Sequence, residues 1–352
     1  MDSLHDRNST IVRTDDAAGA PAPGDRLASS PSPAPTSEAA WLGRDWRFAL
    51  LRAGMRVLSR AAPSLAVDLF HRVWFTPPRV RPRAEALRWL ARGEPLEFRV
   101  HCQPVRAWAW GQGPTVLLVH GWGGHAGHLR AIGEALCERG LRVVAFDAPA
   151  HGRSGRSRIG GRLVTLVEIA DALRIVAAGV GPLHGLVAHS GGCTAAALAL
   201  RGGWAGPQRM ALVAPFALPS QAVLPFGRAI GASDAVTAGF SERTQAWLGR
   251  PWTDFDMTGL AASRTPPPSL VVHDASDREV PVGHGRALVE AWPGACWMET
   301  TGLGHRRLLR DPAVVARVVE FIADGHSPRS DRPADSRDEL DRLVGHRAPA
   351  LA

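Results

Sequence analysis

The chain has 352 residues, 45% of them hydrophobic, and a formal net charge of +8, which is enough apolar material for one large core or two modest ones. It contains no lysine and no tyrosine, so all 41 basic side chains in that charge are arginine. These arginines are scattered, with no dense run or aromatic-interleaved stripe, which argues against nucleic acid as a partner. Cys102, Cys137, Cys193 and Cys296 lie far apart and fit no metal-binding spacing, so they read as free thiols in a reducing compartment.

Residues 1–39 are rich in Ala, Pro, Ser, Asp and Gly and predict a disordered tail. The N-terminus lacks the basic-then-apolar layout of a signal peptide. No apolar run reaches the roughly 20 residues a membrane span needs, so a cytoplasmic protein is expected. Residues 40–92 form an N-terminal helical segment. Trp46, Leu50, Leu51, Met55 and Leu58 recur at three- and four-residue steps with arginines between them, Pro63 interrupts, and Leu65 to Trp74 resumes. Such a stripe ordinarily packs on a core. The alternative is a basic amphipathic helix lying on a membrane surface. The expectation is packing, with membrane association the minor reading. A short helix follows near Ala84 to Ala91.

Residues 93–324 alternate strand and helix. Strands are expected at Leu96 to His101, Val105 to Trp110, Thr115 to Val119, Arg142 to Phe146, Leu183 to Val187, Met210 to Val213, Leu270 to His273 and Cys296 to Thr300. Helices are expected at His128 to Glu138, Leu163 to Ala178, Thr194 to Leu200, Gly285 to Ala291 and Pro312 to Ala323. Pro215 to Ala262 shows no clear period. Residues 325–352 read as a polar tail with a helical run at Asp338 to Val344. Apolar strands alternating with helices predict a mostly parallel sheet buried on both faces. In such sheets ligands bind beyond the carboxyl ends of the strands. The glycine-rich and polar clusters fall there, after Val119, Phe146, Val187, Val272 and Thr301.

The chemistry centres on Ala188-His189-Ser190-Gly191-Gly192, between an apolar strand and an alanine-rich helix. A serine hydroxyl is a weak nucleophile and needs exposure, a base and oxyanion donors. A tight strand-to-helix turn lifts Oγ above the sheet and leaves N–H groups free at the helix start. The string reads A-x-S-x-G rather than G-x-S-x-G, with Ala188 as the departure. His305, in Thr301-Gly302-Leu303-Gly304-His305, is the candidate base. Asp274, Asp277 and Glu279 compete to orient it. Asp274 directly continues its strand and suits a loop hydrogen bond, whereas Asp277 lies further out and is taken as the orienter. Gly191 and Trp122 are the expected oxyanion-hole donors. Phe216, Phe226, Phe240 and Trp247 either wall an apolar acyl pocket or pack the 215–262 segment on the body.

The pieces HGWGG, DAPAHGRSG, AHSGG, HDASDREVP and GLGH, in that order, resemble the α/β-hydrolase fold family from about Leu96 to Ala323. The resemblance implies an eight-stranded, mostly parallel sheet with helices on both faces and a short helical lid at 215–262. It also implies a Ser190–His305–Asp277 triad, no organic cofactor and no metal. His151 and Arg153 match a structural loop of that fold, and His189 reads as structural. A serine in the nucleophile position argues against the carboxylate chemistry of dehalogenases and epoxide hydrolases. The expected substrate is a small-molecule carboxylic ester of modest acyl length. A thioesterase, a membrane-associated lipid hydrolase, and a slow or non-catalytic ligand-binding protein are the other readings. The chain does not disclose its oligomeric state.

Overall fold

The computed structural model describes residues 46–324. The expected tails at 1–39 and 325–352, including the run at Asp338 to Val344, lie outside the described residues. Three helices come first: α1 (Trp46–Ala61), α2 (Pro63–Phe75) and α3 (Ala84–Arg92). Pro63 sits in the first turn of α2, where its missing N–H costs nothing because that donor has no helical partner anyway.

Eight strands follow: β1 (Glu94–Val100), β2 (Gln103–Trp110), β3 (Thr115–Val119), β4 (Arg142–Phe146), β5 (Leu183–His189), β6 (Met210–Val213), β7 (Ser269–Asp274) and β8 (Cys296–Thr300). They form one sheet in the order β1-β2-β4-β3-β5-β6-β7-β8. Only the β1–β2 and β2–β4 pairings are antiparallel, and the rest are parallel. The central strand β3 is buried at every position, whereas edge strand β1 alternates towards solvent. The alternating side chains of β3 feed two cores. Leu117 and Val119 join one with Leu173 and Leu186, and Val116 and Leu118 join the other with Ile132, Leu136 and Val318. That division is the period of two expected for a strand covered on both faces.

The covering helices are α4 (Arg130–Glu138), α5 (Leu166–Val180), α6 (Gly191–Arg201), α7 (Pro219–Ile230), α8 (Asp234–Leu248), α9 (Gly283–Ala291), α10 (Gly304–Arg307) and α11 (Pro312–Asp324). The eight-stranded, mostly parallel sheet with helices on both faces is the fold the sequence implied. The 215–262 segment is helical, as the resemblance implied, although its local pattern reads as irregular. Pro219 and Pro225 within α7 hide its periodicity. Capping restores order: the Ser233 hydroxyl accepts from the Val236 N–H at the start of α8, and Gly231 and Gly249 end the two helices in the left-handed region.

Helices α1 and α2 pack on this lid, with Leu51, Met55 and Leu58 of the expected stripe turned inward and Trp46 and Leu50 of it left in solvent. Phe70 is fully buried and stacks on Phe240 at 4.0 Å, and Trp74 meets Phe226 edge-on at 4.9 Å. Asp68 pairs with Arg243 of α8. The inner face of α1 carries Phe48, Leu51, Met55 and Leu58. Its outer face leaves Trp46, Leu50 and Val57 in solvent. No helix among the described residues is long and apolar enough to cross a membrane.

Candidate active site

Parallel pairing brings the strand ends to one edge: Val119 lies beside Ala188, His189 beside Val213, and Asp274 beside Thr300. The loops that leave these ends carry the candidate residues.

Ser190 occupies the turn between β5 and α6 with φ 53° and ψ −123°. This backbone is costly for a residue with a Cβ, and surrounding contacts must hold it. They do. The Ser190 N–H donates to the Val213 carbonyl at 3.0 Å, and its own carbonyl accepts from Cys193 at 2.9 Å. The turn also explains which flanking positions need glycine. A Cβ on Gly192 would lie 2.6 Å from the His120 carbonyl oxygen, and one on Gly121 would lie 2.8 Å from the Ser190 Cβ. Ala188 still belongs to β5 and has no positive φ, so alanine is accommodated there.

His305 lies in α10, immediately after the turn that leaves β8, and is buried. Its Nδ1 donates to Asp277 Oδ2 at 2.7 Å. The other carboxylate oxygen of Asp277 accepts the N–H groups of Glu279 at 2.8 Å and Val280 at 3.0 Å. Burial opposes ionisation of Asp277, but hydrogen bonds from His273 and His305 outweigh it and hold the carboxyl well below the usual range. A carboxylate is acceptor-only, so Nδ1 of His305 carries a proton and, in the neutral ring, Nε2 is left with the lone pair.

Asp274 has a different task. Its Oδ1 accepts from Ser276 and Gly304 N–H groups at 2.9 Å each, and Oδ2 accepts from Thr300 Oγ1 at 2.8 Å and Leu303 N–H at 3.0 Å. Burial opposes its ionisation too, but the Gly304 and Leu303 donors lead a set that keeps it below the usual range. Four donors converge on this carboxylate and tie the β7 and β8 loops together. Glu279 points elsewhere and pairs with Arg306 at 3.0 Å.

Trp122 N lies 3.7 Å from where a Gly191 Cβ would sit, so the two expected oxyanion donors are neighbours. Among the described residues neither N–H donates to a backbone partner.

Three supporting residues carry no strong sequence signal. His189 Nε2 donates to the His305 carbonyl at 3.0 Å, and burial keeps its ring neutral. It therefore fastens the backbone of the candidate base, which refines the structural role expected of it. His273 Nε2 donates to the Val280 carbonyl at 3.0 Å and approaches Asp277 Oδ2 at 3.5 Å. His284 stacks on Phe216 at 5.7 Å and accepts the Leu218 N–H at 3.2 Å through Nδ1. Burial pushes its pKa down to about 4. Isolated histidines in a sequence cannot be told apart, so only folding marks His273 and His284 and shows what His189 holds.

The 147–155 loop is structural, as expected. Asp147 accepts the Ala126 and Arg153 N–H groups at 2.7 Å each, and His151 Nδ1 donates to the Pro149 carbonyl at 2.9 Å.

A cavity of about 760 Å³ carries Ser190, Gly191, Trp122 and His305 in its wall. Phe216 and Phe226 line it. Phe240 and Trp247 do not, which corrects the sequence reading. Phe240 is spent on the stack with Phe70, and Trp247 lies on the outer side against His71 and Phe75. The cavity is also larger than a short lid alone suggests. Phe48 and Leu51 of α1, and Val73, Trp74 and Phe75 of α2, complete its wall. The periodicity of these residues marks them as packing, and whether such a face meets protein or a hollow depends on the partner. Among the described residues no group of three or more His, Cys, Asp or Glu side chains is placed to hold a metal ion.

A family model described as the alpha/beta hydrolase fold matches residues 114–227, and one described as TAP-like protein matches residues 245–334. No curated protein matches the chain. Among solved structures, the chain is similar to an esterase from Pyrococcus furiosus at 18% identity and a TM-score of 0.53, covering 71% of this chain and 97% of that one. It is also similar to a putative lipase from Acinetobacter baumannii, at 16% identity and a TM-score of 0.50, covering 69% and 95%. A bacterial membrane phospholipase A is similar at 19% identity and a TM-score of 0.50, covering 80% and 97%.

Proposed function

Because the chain belongs to the α/β-hydrolase fold family, we propose that it is a serine hydrolase that cleaves carboxylic esters through an acyl-enzyme. The observation that carries this reading is the 2.7 Å bond from His305 Nδ1 to the buried Asp277, in the wall of the cavity that also holds Ser190. His305 Nε2 takes the Ser190 proton as Oγ attacks the ester carbonyl. Charge building on the carbonyl oxygen is met by the Gly191 and Trp122 N–H groups. His305 then gives its proton to the departing alcohol, and the acyl group stays on Ser190. Water, deprotonated by His305, releases the acid and restores the serine. Asp277 keeps the ring in the tautomer that makes this sequence work. The aromatic wall formed by the lid and α2 supports an apolar acyl group.

The test is a fluorophosphonate probe followed by peptide mapping. Modification of Ser190, lost in Ser190→Ala, supports the reading, and a p-nitrophenyl ester panel then ranks acyl lengths. An unmodified Ser190 in folded protein, with no ester turnover, rejects it in favour of a ligand-binding protein on the same fold.

A further inference from the structure

The cavity around Ser190 is lined by two chemically different sets of residues. One is apolar, with Leu51, Val73, Trp74, Phe226, Ile230 and Phe255. The other carries five arginines: Arg81, Arg83, Arg130, Arg306 and Arg310. Only two acids, Glu85 and Glu279, share that lining. Both are already engaged. Arg130 binds Glu85 at 2.8 Å and also Glu134 at 2.6 Å, and Arg306 binds Glu279 at 3.0 Å. Among the described residues, Arg81, Arg83 and Arg310 have no acidic partner. They are exposed, and the lining keeps an uncompensated positive charge.

Arg306 of this basic set directly follows His305 in the chain. Burial, then Arg306 and Arg83, pushes the His128 pKa down to about 4, so both guanidinium groups lie near that ring. His125 packs against His128 with ring centroids 3.9 Å apart and also lines the cavity. His125 is almost fully buried, and its Nδ1 has no hydrogen-bond partner.

We propose that the site takes acyl esters whose leaving group carries a phosphate, with the acyl chain along the aromatic wall and the phosphate on Arg81, Arg83 and Arg310. This rests on the ester-hydrolase reading. Guanidinium groups match phosphate oxygens in geometry as well as charge. The reaction balances as plain hydrolysis. The acyl bond to the leaving group breaks, carbon–oxygen in an ester or carbon–sulfur in a carrier thioester; that oxygen or sulfur takes a proton through His305, and water supplies the hydroxyl of the released acid. The phosphate is bound and not cleaved. It could belong to a phosphoglycerol lipid or to a phosphate-bearing carrier thiol.

The experiment uses the full chain with Ser190→Ala, so that binding is read without turnover. Calorimetry compares 1-lauroyl-glycerol 3-phosphate with 1-lauroyl-glycerol, both below their aggregation limits. The pair differs only by the phosphate. The phosphate form should bind about tenfold more tightly, the product of two or three exposed pairs of modest strength. Raising salt from about 50 to 300 mM should shrink that ratio, because exposed charges are screened. Adding Arg83→Gln and Arg310→Gln should bring the ratio towards one, and Lys at both positions should restore most of it. Lauroyl phosphopantetheine forms a second arm. Preference for it alone assigns the phosphate to a carrier thiol, and preference for both assigns it to either source. Equal affinity for the lauroyl pair with no gain for the carrier arm overturns the proposal. So does a salt-independent ratio, and so does a ratio untouched by the Gln substitutions. If the double variant does not fold, Arg81→Gln and the salt series on otherwise unmodified protein decide. Fluorophosphonate labelling of the wild type separates the two readings. A labelled Ser190 without phosphate preference overturns this inference alone. A phosphate preference without labelling or turnover overturns ester hydrolysis and leaves an anionic-ligand site.

Discussion

Replacing Asp277 with asparagine separates the orienting carboxylate from the loop-tying one, and the hydrogen bonds fix what should follow. Asp277 Oδ1 is held by two backbone donors, the N–H groups of Glu279 and Val280. An asparagine there must keep its carbonyl oxygen towards those donors. Its NH2 then faces His305 Nδ1, where Oδ2 now accepts at 2.7 Å. The ring must turn Nδ1 into an acceptor, which moves its proton to Nε2. His305 then cannot take the Ser190 proton. Loss of kcat should be on the order of 10⁴-fold, about 5.4 kcal/mol of barrier, with the two backbone bonds kept. Asp274→Asn should behave in the opposite way. Four donors converge on Asp274, and an amide offers one acceptor oxygen. Two charge-assisted bonds are lost at about 1.5–3 kcal/mol each. The midpoint of thermal unfolding should then fall by roughly 10 °C, with kcat of the folded fraction much less affected. The assay is kcat on a p-nitrophenyl ester and differential scanning calorimetry for both variants. An Asp277→Asn enzyme within tenfold of wild type, beside an inactive but stable Asp274→Asn enzyme, would refute the assignment.

Ser190→Ala should lower ester turnover by a thousandfold or more, on the order expected when triad members act as a unit; retention of a tenth of the activity would point to another nucleophile. Gly121→Ala should cripple turnover, because the new Cβ would lie 2.8 Å from the Ser190 Cβ and 3.1 Å from the His189 carbonyl oxygen; wild-type kcat in that variant would show that the loop yields freely. Phe70→Ala should cost about 3–5 kcal/mol, read by urea unfolding, since Phe70 is fully buried and stacked on Phe240. Stability should fall with acid from about pH 6.5 rather than only in the carboxylate range. Burial lowers the pKa of His125 to about 3 and of His128, His151 and His284 to about 4. Between those values and 6.5 the unfolded chain binds more protons, so each imidazole contributes about 1.4 kcal/mol of lost stability per pH unit of descent. Asp147, raised by burial to about 6, opposes this because its folded form takes up a proton first. A midpoint that stays flat from pH 6.5 to 4.5 would contradict the neutral buried histidines.

Strand positions were legible because a strand buried on both faces must be a continuous apolar run, as in Thr115 to Val119. The candidates Ser190, His305, Asp274 and Asp277 stand out in the sequence because they fall at or shortly after strand ends, and parallel pairing sends those ends to one edge. The choice between Asp274 and Asp277 rests on the folded loops, since two carboxylates three residues apart differ only in what surrounds them. The same holds for His189, His273 and His284, whose neighbours come from distant strands and turns. The pocket wall was least legible. Phe240 and Trp74 carry similar apolar signals in the sequence, yet Phe240 is spent inside an aromatic stack and Trp74 faces the cavity. Local pattern tells which face of a helix avoids water. Whether that face meets another side chain or an empty space is set by how α1 and α2 dock on the lid. Docking depends on contacts between segments more than 150 residues apart, such as Asp68 with Arg243, and no window of sequence contains both partners.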